Sequence, residues 1–326
     1  MDYKVDEIIE MMKENSMWDV CVRCSTYNHA PFIEKAMNGF TMQRTTFPFV
    51  CTIIDDASTD GEQDVIRQYL SDNFDLSDNS IARTEETDDY ILSFARHKRN
   101  KQCYFAVLYL KYNHYKKKDR EPYMSEWLDN SKYIAWCEGD DYWIDSLKLQ
   151  KQYDILENDE TVSMCHHNFY ELFPNGEKKC KERGVPVRQD LLSVAKNNYT
   201  QTLCMFYRNL RPMIPDAIKG RIAYSQFYAL RLAEIGDIYY INEPMAVYRR
   251  NPNSIFGMQP AIRKFEMMTA SLDTTIYWYN LSKRADVEEI LKKRGRKSCI
   301  RYLLHFLRRL NLKNSYRVIK KYIEYI

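Results

Sequence analysis

Three carboxylates, Glu138, Asp140 and Asp141, follow directly on the apolar run Tyr133-Ile134-Ala135-Trp136-Cys137. Acids spaced with one residue between them can hold a hard divalent cation. Mg²⁺ and Mn²⁺ commonly take one or two protein carboxylates and complete their shell with phosphate oxygens and water. A cation there would neutralise charge on a departing phosphate. A second acidic stop, Asp55-Asp56-Ala57-Ser58-Thr59-Asp60-Gly61, closes the apolar run over residues 49–54. Asp, Ser and Thr are ordinary helix caps and turn formers, so one of these residues serves as a cap. The acids Asp55, Asp56 and Asp60 together with Ser58 and Thr59 exceed what one cap needs. A third polar stop, Ser25-Thr26-Tyr27-Asn28, ends the run over residues 20–24.

Each of these stops lies between a strand pattern and a helix pattern. Helical spacing is expected over 31–43, 65–70 and 146–157, with Pro31 in a first turn, where it is tolerated. Successive strand-loop-helix units imply a parallel sheet with right-handed crossovers and ligands outside the carboxyl ends of its strands. The expected class is therefore α/β: a mostly parallel, Rossmann-like central sheet flanked by helices. Residues 81–84 suit a short strand. The stretch 88–127 is rich in aromatics and cations, including Arg96-His97-Lys98-Arg99-Asn100 and Lys116-Lys117-Lys118, with helical spacing over 103–115. A solvated basic face is the ordinary reading of such runs, although a pyrophosphate would also draw cations. Further strands are expected over 162–169, 201–207, 237–241 and 246–248, and a helix over 222–234 with Gly236 as its C-cap. From residue 261 onward the pattern is helical.

The chain has 326 residues, enough for a large core, and 45% of them are hydrophobic, as in a globular protein. No run is long and apolar enough for a membrane span, and the acidic, amphipathic start over residues 1–15 does not read as a signal peptide, so a cytoplasmic protein is expected. The nine cysteines are scattered without pairing rhythm, which points to reduced thiols. Cys21-Val22-Arg23-Cys24 lies in a strand pattern, where its sulfurs fall on opposite faces, and Cys165-His166-His167 has no second cluster at zinc-ligand spacing. Over 281–326 there are 14 Lys and Arg against 4 Asp and Glu, a charge of +10; the remainder has 34 against 41, or −7. A basic tail on an acidic body suggests an anionic partner for the tail.

Taken in order, Ser25-Thr26-Tyr27-Asn28, Ile53-Ile54-Asp55-Asp56-Ala57-Ser58-Thr59-Asp60-Gly61 and Trp136-Cys137-Glu138-Gly139-Asp140-Asp141-Tyr142-Trp143 resemble the motifs of family 2 glycosyltransferases. These are inverting enzymes with the A-type nucleotide-sugar fold. With Glu138 in the first acidic place, the last motif resembles bacterial capsule and O-antigen transferases. The resemblance covers residues 20–152 clearly and extends weakly to 257. It implies a catalytic domain over 1–257 and a basic helical extension over 258–326. It also implies that Tyr27, Asn28, Asp55 or Asp56, and Ser58 hold the nucleotide, with Glu138 at the ribose or a metal-bound water. Asp140 would hold Mg²⁺ or Mn²⁺, and Asp141 would face the donor sugar. The implied partners are a nucleoside diphosphate sugar and a glycan or lipid-linked acceptor.

The chain departs from this pattern where the family carries a general-base Asp before a late helix. Ser225 stands there, and a serine hydroxyl is no proton acceptor near neutral pH. Asn251, rather than His, follows Tyr248-Arg249-Arg250. Another acid such as Asp216 could be the base, the base could come from elsewhere, or the protein could bind sugar nucleotide with weak or lost turnover. A nucleotidyltransferase also uses a parallel sheet and a metal, but commonly has a Gly-rich phosphate loop, and residues 25–31 contain no glycine. Nucleic-acid binding through the tail has no recognisable motif behind it. For the tail itself two readings remain: a helical cap packed on the body, or docking at an anionic membrane leaflet.

Overall fold

The computed structural model describes residues 18–115, 120–180, 184–209, 214–218, 221, 225–250 and 259–326. The expected leading helix, the Lys116-Lys117-Lys118 run, the start of the 222–234 helix and Asn251 lie outside these residues. The chain divides into two compact units, one of residues 1–187, 201–210 and 238–250, the other of 188–200, 211–237 and 251–326. The second unit thus takes in segments on both sides of the 257/258 boundary expected from sequence.

In the first unit, β1 (Trp18–Thr26) leads to α1 (Ile33–Thr41), and β2 (Phe49–Asp55) to α2 (Glu62–Asn73). The short β3 (Phe74–Asp75) and β4 (Arg83–Glu86) precede β5 (Tyr90–His97) and β6 (Cys103–Leu110). A short α3 (Ser125–Leu128) introduces β7 (Ser131–Trp136), followed by β8 (Tyr142–Trp143) and α4 (Lys148–Asn158). The unit is completed by β9 (Val162–Leu172), β10 (Lys178–Cys180), β12 (Phe206–Arg208) and most of β13 (Asp237–Arg249). The sheet order is β13-β9-β12-β7-β1-β2-β6-β5-β3. Its centre, β7-β1-β2-β6, is parallel, and antiparallel strands flank it.

Central parallel strands are covered on both faces, so they read as unbroken apolar runs. All of β2 is buried. The same fact explains a correction. Residues 103–115 are not helical: Cys103–Leu110 is β6, buried at every position but Tyr104 and paired with β2 and β5. A run apolar on both faces has no polar stripe, and spacing alone does not separate strand from helix there. The expected strands over 237–241 and 246–248 are one strand, β13, which runs through Pro244. The 201–207 segment is a 3-10 turn, Thr202–Cys204, followed by β12.

The second unit contains β11 (Arg188–Gln189), α5 (Leu191–Lys196), α6 (Ser225–Ala233), α7 (Ala261–Leu281), α8 (Ala285–Leu307) and α9 (Leu312–Glu324). Asp190 caps α5 by accepting from the Ser193 N–H at 2.8 Å. The Trp278 indole donates to Glu234 at 3.0 Å, and Arg294 donates to the Ala195 carbonyl at 3.1 Å, which ties α7 to the end of α6 and α8 to α5. The nine cysteines are free thiols, and Cys180 is the exposed one.

Candidate nucleotide and metal site

The polar stops after β1, β2 and β7 come together because those strands are adjacent and parallel, with β1 in the middle. Thr26 and Asp55 sit side by side in the ladder. Beyond the strand ends the stitching continues: Asp56 N–H donates to the Thr26 carbonyl at 3.0 Å, Cys137 N–H to Arg23 at 3.1 Å, and Gly139 N–H to Ser25 at 3.1 Å. This draws the β7 loop tightly over β1. A Cβ on Gly139 would lie 2.2 Å from Thr26 Oγ1 and 2.6 Å from Thr26 Cβ, so the glycine is required by close approach.

Glu62, at the start of α2, joins the first two loops. Its carboxylate accepts from Thr26 Oγ1, from His29 N–H at 2.8 Å and from Ser58 Oγ at 2.8 Å. Burial raises its pKa above the usual glutamate value, against those hydrogen bonds. Asn28 N–H donates to Ser58 Oγ at 2.9 Å, while Asn28 Oδ1 accepts from Thr59 N–H at 2.8 Å. Asp60 accepts from Ala30 N–H at 3.0 Å and from Glu62 N–H at 3.1 Å, joining the two loops; the N-cap of α2 is Gly61, with no side-chain cap hydrogen bond, so the cap expected among these polar residues is not formed. Asn28 and Ala57 both take left-handed backbone, with φ of 55° and 59°. Asn adopts it readily; Ala does so at a cost that clusters at functional loops.

The acids divide by environment. Asp55 is buried, with Oδ1 accepting from Ser58 N–H at 3.1 Å and Gln63 Nε2 at 2.6 Å, and with Oδ2 unpartnered among the described residues. Asp56 is buried too: Oδ1 accepts from His114 N–H at 2.7 Å and Oδ2 from Arg120 Nη1 at 3.1 Å. Both therefore point into the protein and shape the loop. Tyr27 is 38% exposed and presents its ring at the surface.

In the β7 loop, Asp141 is buried, and its Oδ1 accepts from Arg249 N–H of β13 at 2.8 Å. Burial, and then the neighbouring Asp140, push the Asp141 carboxyl well above the usual aspartate range. Burial likewise raises Glu138 to about 7, opposed by Arg23 and Arg120 and assisted by Asp140. Asp140 Oδ2 lies 3.9 Å from His29 Nε2. The Arg249 guanidinium stacks between the rings of Phe32, at 4.9 Å, and Tyr142, at 4.7 Å, and its Nε is unpartnered among the described residues.

This arrangement suits an added cation. Carboxylates whose ionisation is disfavoured by burial and mutual repulsion are stabilised as anions by a positive charge placed beside them. Among the described residues no group of three or more His, Cys, Asp or Glu forms a closed metal cage. A Mg²⁺ or Mn²⁺ that keeps water and phosphate ligands needs only one or two protein oxygens, and Asp140, partly open at 17% side-chain exposure, offers them.

Of the residues singled out from sequence, the structure gathers Tyr27, Asn28, Asp55, Asp56, Ser58, Glu138, Asp140 and Asp141 onto the carboxyl ends of three adjacent strands. Ser225 and Asp216 belong to the other unit. Arg96 and Lys98 serve backbone carbonyls of Lys101, Ser71 and Asp72. Glu62, Arg120 and Arg249 were not singled out. Each matters through a partner distant in sequence, although Arg249 lies in the Tyr248-Arg249-Arg250 run already noted.

No family model matches the chain. Over 233 residues, 71% of this chain, it is 29% identical to the uncharacterized proteins Rv1520 of Mycobacterium tuberculosis and Mb1547 of Mycobacterium bovis; it spans 58% of their length. Among solved structures, the mannosyltransferase PcManGT of Pyrobaculum calidifontis, in complex with GDP-Man and Mn²⁺, aligns with a TM-score of 0.50 at 13% identity, covering 97% of this chain and 90% of that one. Residues 1–349 of TarS from S. aureus, in complex with UDP-GlcNAc, align with a TM-score of 0.46 at 14% identity, covering 94% and 92%. The fold is of the A-type glycosyltransferase kind, with a central sheet between helices and further helices at the C-terminal end.

Proposed function

We propose that the protein is an inverting glycosyltransferase of family 2 that moves a sugar from a nucleoside diphosphate sugar to a hydroxyl of a glycan or lipid-linked glycan, in bacterial surface polysaccharide synthesis at the cytoplasmic side. The carrying observation is the convergence of the three polar loops on the carboxyl ends of β1, β2 and β7, with Glu138 and Asp141 held above their ordinary pKa by burial and by Asp140. The complex of PcManGT with GDP-Man and Mn²⁺, a sugar nucleotide and a divalent cation on the same fold, supports this reading.

In this proposal Tyr27 offers an exposed ring to the base, and the loop that Asn28 and Ser58 hold together lines the ribose. Asp140, with Glu138 beside it, would hold Mg²⁺ or Mn²⁺. Such an ion supplies charge neutralisation at the leaving diphosphate. Asp141, fixed by Arg249 N–H, faces the donor sugar, and the stacked Arg249 guanidinium offers donors to phosphate oxygens. The general base is a residue other than Ser225, whose hydroxyl cannot take the acceptor's proton.

A panel of nucleotide sugars assayed with Mn²⁺ for hydrolysis and transfer tests the reading. One donor class is expected to turn over, with Asp140→Ala lowering the rate about a hundredfold. Tight binding of one donor without turnover would favour a sugar-nucleotide-binding protein, which the serine at 225 also suits. Absence of both binding and turnover across the panel overturns the proposal.

A further inference from the structure

Within the second unit α8 and α9 form an antiparallel hairpin: Arg296 on α8 donates to the Tyr325 carbonyl just beyond α9, and Gly295 lets the Tyr325 ring approach so closely that a Cβ would lie 2.6 Å from it. The inner faces carry Gly295, Cys299 and Phe306 on α8 and Ser315, Val318 and Tyr325 at α9. An amphipathic helix buried this way normally turns polar residues outward. Here a second apolar row faces outward instead. On α9 it comprises Leu312 at 71% exposure, Tyr316 at 70%, Ile319 at 42% and Ile323 at 62%. On α8 it comprises Ile300 at 48%, Leu304 at 49% and Leu307 at 43%, and Leu310 in the connection is 85% exposed.

The outward residues follow buried ones by one position: Ile300 after Cys299 and Leu307 after Phe306, Tyr316 after Ser315 and Ile319 after Val318. One residue is a rotation of about 100°. In antiparallel neighbours that face each other, equal rotations from the shared interface turn toward the same flank, so both rows lie on one side of the hairpin. After Ile300, Leu307, Leu312 and Ile319 the next position is basic: Arg301, Arg308, Lys313 and Lys320 are exposed and have no ion pair among the described residues, while His305 follows Leu304 and Glu324 follows Ile323. Some other cations of the hairpin are paired. Arg317 pairs with Glu266, Lys321 with Asp273 and Arg296 with Glu289.

We infer that this flank docks on an anionic phospholipid surface, the hairpin lying in the plane of the interface. Leu, Ile and Tyr side chains enter the acyl boundary, and the basic row reaches lipid phosphates on long, flexible stems. Charge decides the occupant. The segment 281–326 carries +10, so a second copy would bring like charge against like, whereas an anionic leaflet attracts each basic residue. No described helix is long and apolar enough to cross a membrane, and α9 is amphipathic, which fits lying on the surface.

Flotation of the full chain with vesicles tests this. Recovery with a phosphatidylglycerol–phosphatidylcholine mixture is expected to exceed recovery with phosphatidylcholine alone by about tenfold and to fall as salt is raised. Two variants separate the components: Leu304→Ser with Tyr316→Ser, Ile319→Ser and Ile323→Ser for the apolar row, and Arg301→Gln with Arg308→Gln, Lys313→Gln and Lys320→Gln for the basic row. Each is expected to lower recovery about tenfold with an unchanged thermal transition. Should the apolar variant fail to fold, the basic one, made only on exposed side chains, carries the test. Equal recovery with both vesicle types overturns the inference, as does wild-type flotation by both variants. So does a wild-type dimer in sedimentation that the apolar variant dissolves while flotation is unchanged. The nucleotide site proposed above lies in the first unit, so donor titrations on the same variants are expected to match wild type, and this result stands apart from that proposal.

Discussion

The loops at the carboxyl ends of β1, β2 and β7 and the α8–α9 hairpin both gather charge, and they handle it in opposite ways. In the loops, acids are buried and specified one by one: Asp55, Asp56, Glu62 and Asp141 each accept from named donors. On the hairpin, cations stand in water, and what is specified is a pattern, an apolar row with a basic row beside it. Substitutions should therefore act through single lost partners in the first region and through summed area and charge in the second.

That contrast can be broken by comparing two glutamates. Glu62→Ala removes the acceptor of Thr26 Oγ1, His29 N–H and Ser58 Oγ, and is expected to cost about 3 kcal/mol in urea unfolding. Glu289→Ala on α8, where the carboxylate is 64% exposed in its pair with Arg296, is expected to cost less than about 0.5 kcal/mol. Comparable losses would dissolve the distinction.

Cations sharpen it further. Lys148 is wholly buried, stacked 4.0 Å over Trp143 and donating to Gln152 at 2.7 Å, and burial lowers its pKa to about 8. Between about 8 and the unfolded value near 10.5 the unfolded chain holds a proton that the folded chain has released, so this residue's contribution to stability rises with pH across that window. Unfolding free energies of wild type minus Lys148→Met are expected to climb by about 3 kcal/mol from pH 7 to 10.5. A flat difference would place the ammonium in a solvated setting.

The smallest effect concerns backbone. Ala57 in the β2 loop and Leu310 between α8 and α9 both hold left-handed φ, at 59° and 52°. Replacement by Gly is expected to change stability by less than about 1 kcal/mol at either site, because relief of strain offsets the greater freedom of the unfolded chain. Only Ala57→Gly is expected to weaken nucleotide binding, by loosening the turn that aims Ser58. Equal binding by both variants would remove the functional reading of that strain.

The sequence showed most where local rules and chemistry agree. The polar stops beginning at Ser25, Asp55 and Glu138 were legible because a strand must end before a loop can present acids, and the helices after residue 261 because apolar spacing persists there. β6 was not legible, since Cys103–Leu110 is apolar on both faces and only pairing with β2 and β5 distinguishes it. Glu62, Arg120 and Arg249 escaped for a related reason. A glutamate opening a helix, or an arginine ending a strand, looks ordinary until Thr26, Asp56 and Asp141 are brought to it. The outward row on α9 was readable as apolar residues, but its exposure depends on which face the hairpin buries.

The central claim is that Asp140 and its neighbours form a cation-assisted nucleotide site. Calorimetric titration of UDP and GDP, with and without Mn²⁺, addresses it directly. At least one diphosphate is expected to bind about tenfold more tightly with Mn²⁺, and Asp140→Ala is expected to abolish that gain. Equal affinity with and without the ion for both diphosphates, or a gain that survives Asp140→Ala, would contradict the account.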